Sequence, residues 1–80
     1  MSVTTTTIET TIFKALEQLE AEPDSISREA GFEQLDIDSL DLAELAQIID
    51  EEYGVKIKGA DMEALKTVGD VIDYVAARAA

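Results

Sequence analysis

Apolar residues recur at helical spacing in three stretches of this chain and thin out to isolated anchors between them. Ile8, Ile12, Ala15, Leu16 and Leu19 stand three or four apart, with Phe13 flanking the stripe, which predicts an amphipathic helix over residues 7–21. Thr6 followed three residues later by Glu9 has the spacing of a capping box at its start. Pro23 cannot continue a helix, and Pro23-Asp24-Ser25 is turn chemistry. Residues 22–37 then read as a long loop anchored by Ile26, Phe32, Leu35 and Ile37. Loops of this length in small domains are commonly functional or tied down by their own side chains.

A second helix carries Leu42, Leu45, Ala46, Ile49 and Tyr53 on one stripe. Asp38 or Ser39 can cap it, Asp41 in its first turn suits the positive end of the dipole, and Gly54 stops it. Residues 55–59 form a short extended link anchored by Ile57, and residues 60–65 allow a turn or two of helix. Thr67 and Asp70 make a variant capping pair for a last helix with Val68, Val71, Ile72, Val75 and Ala79 on its buried stripe. The polar, β-branched residues 1–6 have little to bury and are expected to form a flexible N-terminal tail, with a single domain over residues 7–80. No alternating β pattern, internal repeat or linker interrupts this reading. The expected fold is all-α, a small bundle of three longer helices plus one short helix.

Composition narrows the chemistry. The 80 residues contain no His and no Cys. The side chain most used for acid–base work near neutral pH is missing, and so are the thiol nucleophile, the disulfide and the commonest zinc ligands. A self-sufficient enzyme is therefore not expected, and no catalytic or metal-binding residue is assigned. The balance of 18 Asp+Glu against 6 Lys+Arg gives a net charge of −12, which argues against nucleic acid and anionic membrane as partners. It favours a protein with a basic surface. No apolar run approaches the ~18 residues of a membrane span, and the N-terminus shows no secretory pattern. A cytoplasmic monomer is expected.

The charge is concentrated. Glu29, Glu33, Asp36, Asp38, Asp41, Glu44, Asp50, Glu51 and Glu52 fall in one third of the chain with no Lys or Arg among them. Like charges three apart on a helix are mildly destabilising, so selection for stability alone would have interspersed Lys. A calcium loop starting at Asp36 fails, because its sixth and twelfth positions hold Asp41 and Gln47 instead of Gly and Glu. No Gly-rich phosphate loop is present, since the glycines at 31, 54, 59 and 69 are isolated.

Ser39 at the mouth of the second helix is the residue of interest. It can be a plain N-cap. It cannot be a self-activated nucleophile, because the chain supplies no base. It is well placed as an acceptor for another enzyme's chemistry, since a phosphodiester on its oxygen would meet free N–H groups and the helix dipole. Leu40 and Ala43 beside it offer a small apolar contact ringed by acids.

Asp38-Ser39-Leu40, continued by Asp41-Leu42-Ala43-Glu44-Leu45, resembles the phosphopantetheine attachment motif of acyl carrier proteins. Asp50-Glu51-Glu52-Tyr53-Gly54-Val55-Lys56-Ile57 and Thr67-Val68-Gly69-Asp70-Val71-Ile72-Asp73-Tyr74 resemble the family's later segments, in register from Ser39 to Val75. The resemblance implies a non-catalytic carrier of a dissociated synthase, with 4'-phosphopantetheine transferred from coenzyme A onto Ser39 and acyl groups held on it as thioesters. It implies a phosphopantetheinyl transferase, a ketosynthase, an acyltransferase and other synthase enzymes with basic docking surfaces as partners. They would be met by Asp38, Leu40, Asp41, Ala43, Glu44, Gln47, Asp50 and Glu51. Two positions depart from the family's usual pattern. Asp36 stands where Gly is common before the motif, and Lys58 where Pro often follows the second helix. These departures lean the expectation toward a polyketide pathway over fatty-acid synthesis. The alternative from another class is an acidic helical adaptor without a prosthetic group, Ser39 being only a cap.

Overall fold

The structure, a computed structural model, describes residues 4–79. Three longer helices, α1 (Thr5–Gln18), α2 (Ser39–Tyr53) and α4 (Val68–Arg78), enclose one core, and a short α3 (Gly59–Ala64) closes one side. This is the bundle expected from the apolar stripes. Helix α1 packs mainly on α4 and also on α2, while α3 leans on α2. Ile8, Ile12, Leu16, Leu45, Ile49, Val68, Val71, Ile72 and Val75 are fully buried, so the stripe residues of all three long helices meet in one place. No helix among the described residues is long and apolar enough to cross a membrane.

The ends of α1 differ from expectation. It starts at Thr5, two residues earlier than the stripe suggests, because the Thr4 side chain accepts from the Thr7 N–H at 3.1 Å. The cap is therefore Thr4, not the Thr6–Glu9 pair. Of the expected tail over 1–6, residues 1–3 lie outside the described residues, and Thr4 to Thr6 form the cap and first turn. The helix ends at Gln18 instead of reaching Ala21. The Ala21 N–H donates to Leu16 O and the Glu20 N–H to Glu17 O, with Glu20 left-handed at φ 71°. That hydrogen-bond pattern closes a helix and needs a residue willing to take a positive φ. Gly54 does the same for α2 at φ 68°, as its identity suggests.

The long loop is not loose. Phe32, Leu35 and Ile37 are buried anchors, as is Ala30, whereas Ile26 is only partly covered. The Phe32 N–H donates to Lys66 O, and Gly31 and Thr67 form an isolated antiparallel bridge. Arg28 ties the loop to two helices, with Nη2 at 2.8 Å from Asp73 Oδ1 on α4 and Nη1 at 3.5 Å from Glu9 Oε1 on α1. The hydrogen bond to Asp73 raises the Arg28 pKa further above its ordinary value. Elsewhere, the Tyr53 hydroxyl donates to Thr11 Oγ1 at 2.7 Å, fixing the end of α2 to α1. The Tyr74 hydroxyl donates to Asp61 Oδ2 at 3.2 Å, fixing α3 to α4.

Candidate functional site

The start of α2 is set by the loop that feeds it. Residues 32–36 make a helical turn that closes when the Ile37 N–H donates to Phe32 O and the Asp36 N–H to Glu33 O. Asp36 sits at the left-handed φ of 56° that this closure demands. Gly is the natural residue for such a position, and Asp is among the few others that tolerate it. The chain then extends through Asp38 and enters the helix.

Asp38 is the N-cap. Its Oδ1 accepts from the Asp41 N–H at 2.9 Å. Ser39 is the first residue of the helix proper, so it is not the cap that the sequence left open. Its side chain is exposed, and its hydroxyl makes no hydrogen bond among the described residues. The N–H groups of Ser39 and Leu40 also find no acceptor among the described residues. An exposed hydroxyl beside free donors at a positive helix end suits an anionic phosphoryl group attached to its oxygen.

The expected partner-facing residues do not all lie together. Leu40, 77% exposed, is the one large exposed hydrophobic side chain among the described residues. Leu40, Glu44, Gln47 and Glu51 share the outer ridge of α2 and are all exposed, with the Gln47 side-chain amide 3.5 Å from Glu51 Oε1. Ala43 turns toward α3. Asp41 and Asp50 are partly covered on the flanks. Asp41 and, from the edge of the ridge, Glu44 also line a polar hollow with Asp36, Glu20 and Glu22, between the loop and the end of α1.

Ser39 stands where two clefts meet. One, of about 340 Å³, lies between α2 and α3 and is walled by Leu42, Ala43, Ala46, Ile57 and Met62. The other, of about 880 Å³, runs between the 29–37 loop and the turn from α3 into α4. Met62, almost fully buried, floors both. Sequence reasoning passed over Met62, because a single apolar residue between Asp61 and Glu63 in a helix of 6 residues shows no period. It also passed over Val55, buried where Ile57 was expected to anchor the link.

A family model described as a phosphopantetheine attachment site matches residues 11–75, most of the chain. An acyl carrier protein of Thermosynechococcus vestitus is 45% identical over 60 residues, which cover 74% of each chain. A meromycolate extension acyl carrier protein of Mycobacterium leprae is 42% identical over 77 residues, covering 94% of this chain and 67% of that one. Its counterpart in Mycobacterium tuberculosis is 47% identical over 55 residues, 68% of this chain and 48% of its own. The chain belongs to the acyl carrier protein family. Acyl carrier proteins bear a covalently attached 4'-phosphopantetheine and are carriers without catalytic activity of their own. Membership implies a phosphopantetheinyl transferase and synthase enzymes as partners. The free, exposed Ser39 hydroxyl and the open N–H groups behind it fit the prosthetic group.

Proposed function

We propose that Ser39 is the attachment point of the 4'-phosphopantetheine arm, and that the outer face of α2 is where partner enzymes dock. The observation that carries this is the division of labour at the helix start. Asp38 does the capping, and the adjacent hydroxyl is exposed and makes no hydrogen bond among the described residues. The arm supplies a terminal thiol that holds acyl groups as thioesters. The protein's own residues position and present it. Asp38 fixes the first turn of α2, and hence where the Ser39 oxygen points. Leu40 on the ridge, with the exposed Ala43 toward α3, gives a docking enzyme a small apolar contact. Glu44, Gln47 and Glu51 border it on the ridge, with Asp41 and Asp50 on the flanks. Together they favour basic partner surfaces, which speeds encounter more than it tightens binding.

The apolar cleft between α2 and α3 supports a reduced acyl cargo. Each methylene placed there gains ~0.8 kcal/mol, and a chain interrupted by ketones gains less. The names of the mycobacterial relatives, which extend meromycolate, favour the same side. A polyketide cargo rests on Asp36 and Lys58 alone. A saturated chain loaded on the protein is expected to raise its melting temperature more than a polyketone of equal length. An equal rise would show that the cleft does not select a reduced chain and would remove this support for it.

Intact mass after incubation with coenzyme A, Mg²⁺ and a broad-specificity phosphopantetheinyl transferase tests the attachment. The wild-type protein is expected to gain one phosphopantetheine and Ser39→Ala none. An acidic adaptor, with Ser39 a bystander, would stay unmodified in both forms.

A further inference from the structure

The two clefts beside Ser39 differ in chemistry. The smaller is apolar except for Ser39 itself and Glu63. The larger has an apolar floor of Phe32, Ile37, Met62 and Leu65, and a charged rim that includes Glu33, Glu63 and Lys66. Lys66 is its one cationic lining residue, is exposed, and makes no ion pair among the described residues. A pantetheine arm alternates in the same way. It has two amides and a hydroxyl separated by short apolar segments, one of them a geminal dimethyl group. The smaller cleft offers its N–H groups one carboxylate, Glu63, and has no cationic lining side chain among the described residues, so the arm's carbonyls would lose water there without a charged donor. In the larger groove, carboxylates can accept from its N–H groups and an ammonium can donate to its carbonyls, while the floor receives its methyl groups.

Resting on Ser39 being the point of attachment, we propose that the groove between the 29–37 loop and the α3–α4 turn is the berth of the unloaded arm. Lys66 serves as the donor to the arm's carbonyls, and Glu33 and Glu63 as the acceptors. The apolar cleft is left free for cargo. Both clefts reach Ser39 and share Leu42, Met62 and Glu63 in their walls, while the rest of their linings differ, so an arm lying along one is withdrawn from the other. The berth and the cleft thereby distinguish an empty carrier from a loaded one.

The test compares the apo protein with the phosphopantetheine-bearing protein by NMR. The expected result is contact between the arm's geminal methyls and the side chains of Phe32 and Leu65, with shifted amides at Gly31, Phe32 and Lys66. In the same protein, Lys66→Ala is expected to speed alkylation of the arm's thiol by about two- to tenfold, the loss of one modest hydrogen bond. Lys58→Ala removes the same charge outside the groove and is expected to leave the rate unchanged. Arm contacts to Ala46 and Ile57, shifts confined to residues 38–43, or equal acceleration by both variants would each overturn the berth while leaving the attachment intact. Failure to gain the phosphopantetheine mass would overturn the attachment at Ser39, and the berth with it.

Discussion

Helices α2 and α4 begin in the same way and end up with opposite uses. Each has an extended N-cap whose side chain accepts from the third helical N–H, Asp38 to Asp41 and Thr67 to Asp70. In α4 the remaining donors are consumed. The Val68 N–H donates to Ala30 O at 3.0 Å, the Gly69 N–H to Arg28 O at 2.8 Å, and Asp70 Oδ2 accepts from the Thr67 N–H at 3.2 Å. In α2 the equivalent donors, on Ser39 and Leu40, meet no acceptor among the described residues. One long loop produces both results. Its 28–32 stretch is spent docking against α4, and its 32–38 stretch lifts the chain away so that α2 starts in the open. Every helix start exposes donors. What marks the site is that the fold has used those of α4 to hold the loop and left those of α2 available.

The second helical position sharpens the contrast most. In α4 it is Gly69, where an added Cβ would lie 2.9 Å from Arg28 O, a backbone atom that cannot swing aside. In α2 it is Leu40, whose large side chain is accommodated because it stands 77% exposed. Gly69→Ala is expected to destabilise the protein by about 1–3 kcal/mol, the range for overpacking a close contact, through loss of the loop–α4 seam. Urea denaturation measures it. An unchanged midpoint would mean that the loop does not depend on this approach, and the contrast between the two helix starts would lose its basis.

The turn that frees α2 turns on Asp36. Its φ of 56° makes a second measurable asymmetry. Asp36→Gly relieves a conformation that disfavours side chains but loosens the unfolded chain, so a small gain of about 0.5 kcal/mol is expected. Asp36→Ala keeps the Cβ and loses the polar side chain that tolerates this region, and is expected to fall below Asp36→Gly by about 1 kcal/mol. Thermal melts of the pair decide. Equal stability would show that the turn into Ser39 is not held left-handed in solution.

Residues with strong periodic or capping signals were readable from the sequence. The three apolar stripes, the Thr67–Asp70 capping box and the Gly54 stop all stand where local chemistry put them. Ser39 was singled out for its place at a helix mouth, although which of Asp38 and Ser39 caps could not be read, because both residue types cap well. The errors lie where distant parts of the chain decide. α1 stops early because Glu20 takes a positive φ that its residue type does not advertise. Arg28, Ala30 and Gly69 carry the loop–α4 seam, yet nothing in residues 28–30 points to a partner some forty positions later. The clefts at Ser39 were invisible for the same reason, being made by α3 and a loop with no period of their own.

Leu40→Ala is the smallest perturbation of the fold and the cleanest test of what the open helix start is for. At 77% exposure the side chain holds little of the core, and Ala is the better helix former. Stability is expected to move by no more than about 0.5 kcal/mol in either direction, as for other exposed positions. If Leu40 is the apolar centre of a docking face, its truncation should still slow modification by the transferase at subsaturating carrier concentration, through a raised KM with kcat little changed. A lost contact on the docking surface weakens encounter without touching the Ser39 hydroxyl. A drop in stability approaching that of Gly69→Ala would instead place Leu40 among the packing residues. An unaltered KM would remove it from the docking face and leave the ridge to Glu44, Gln47 and Glu51.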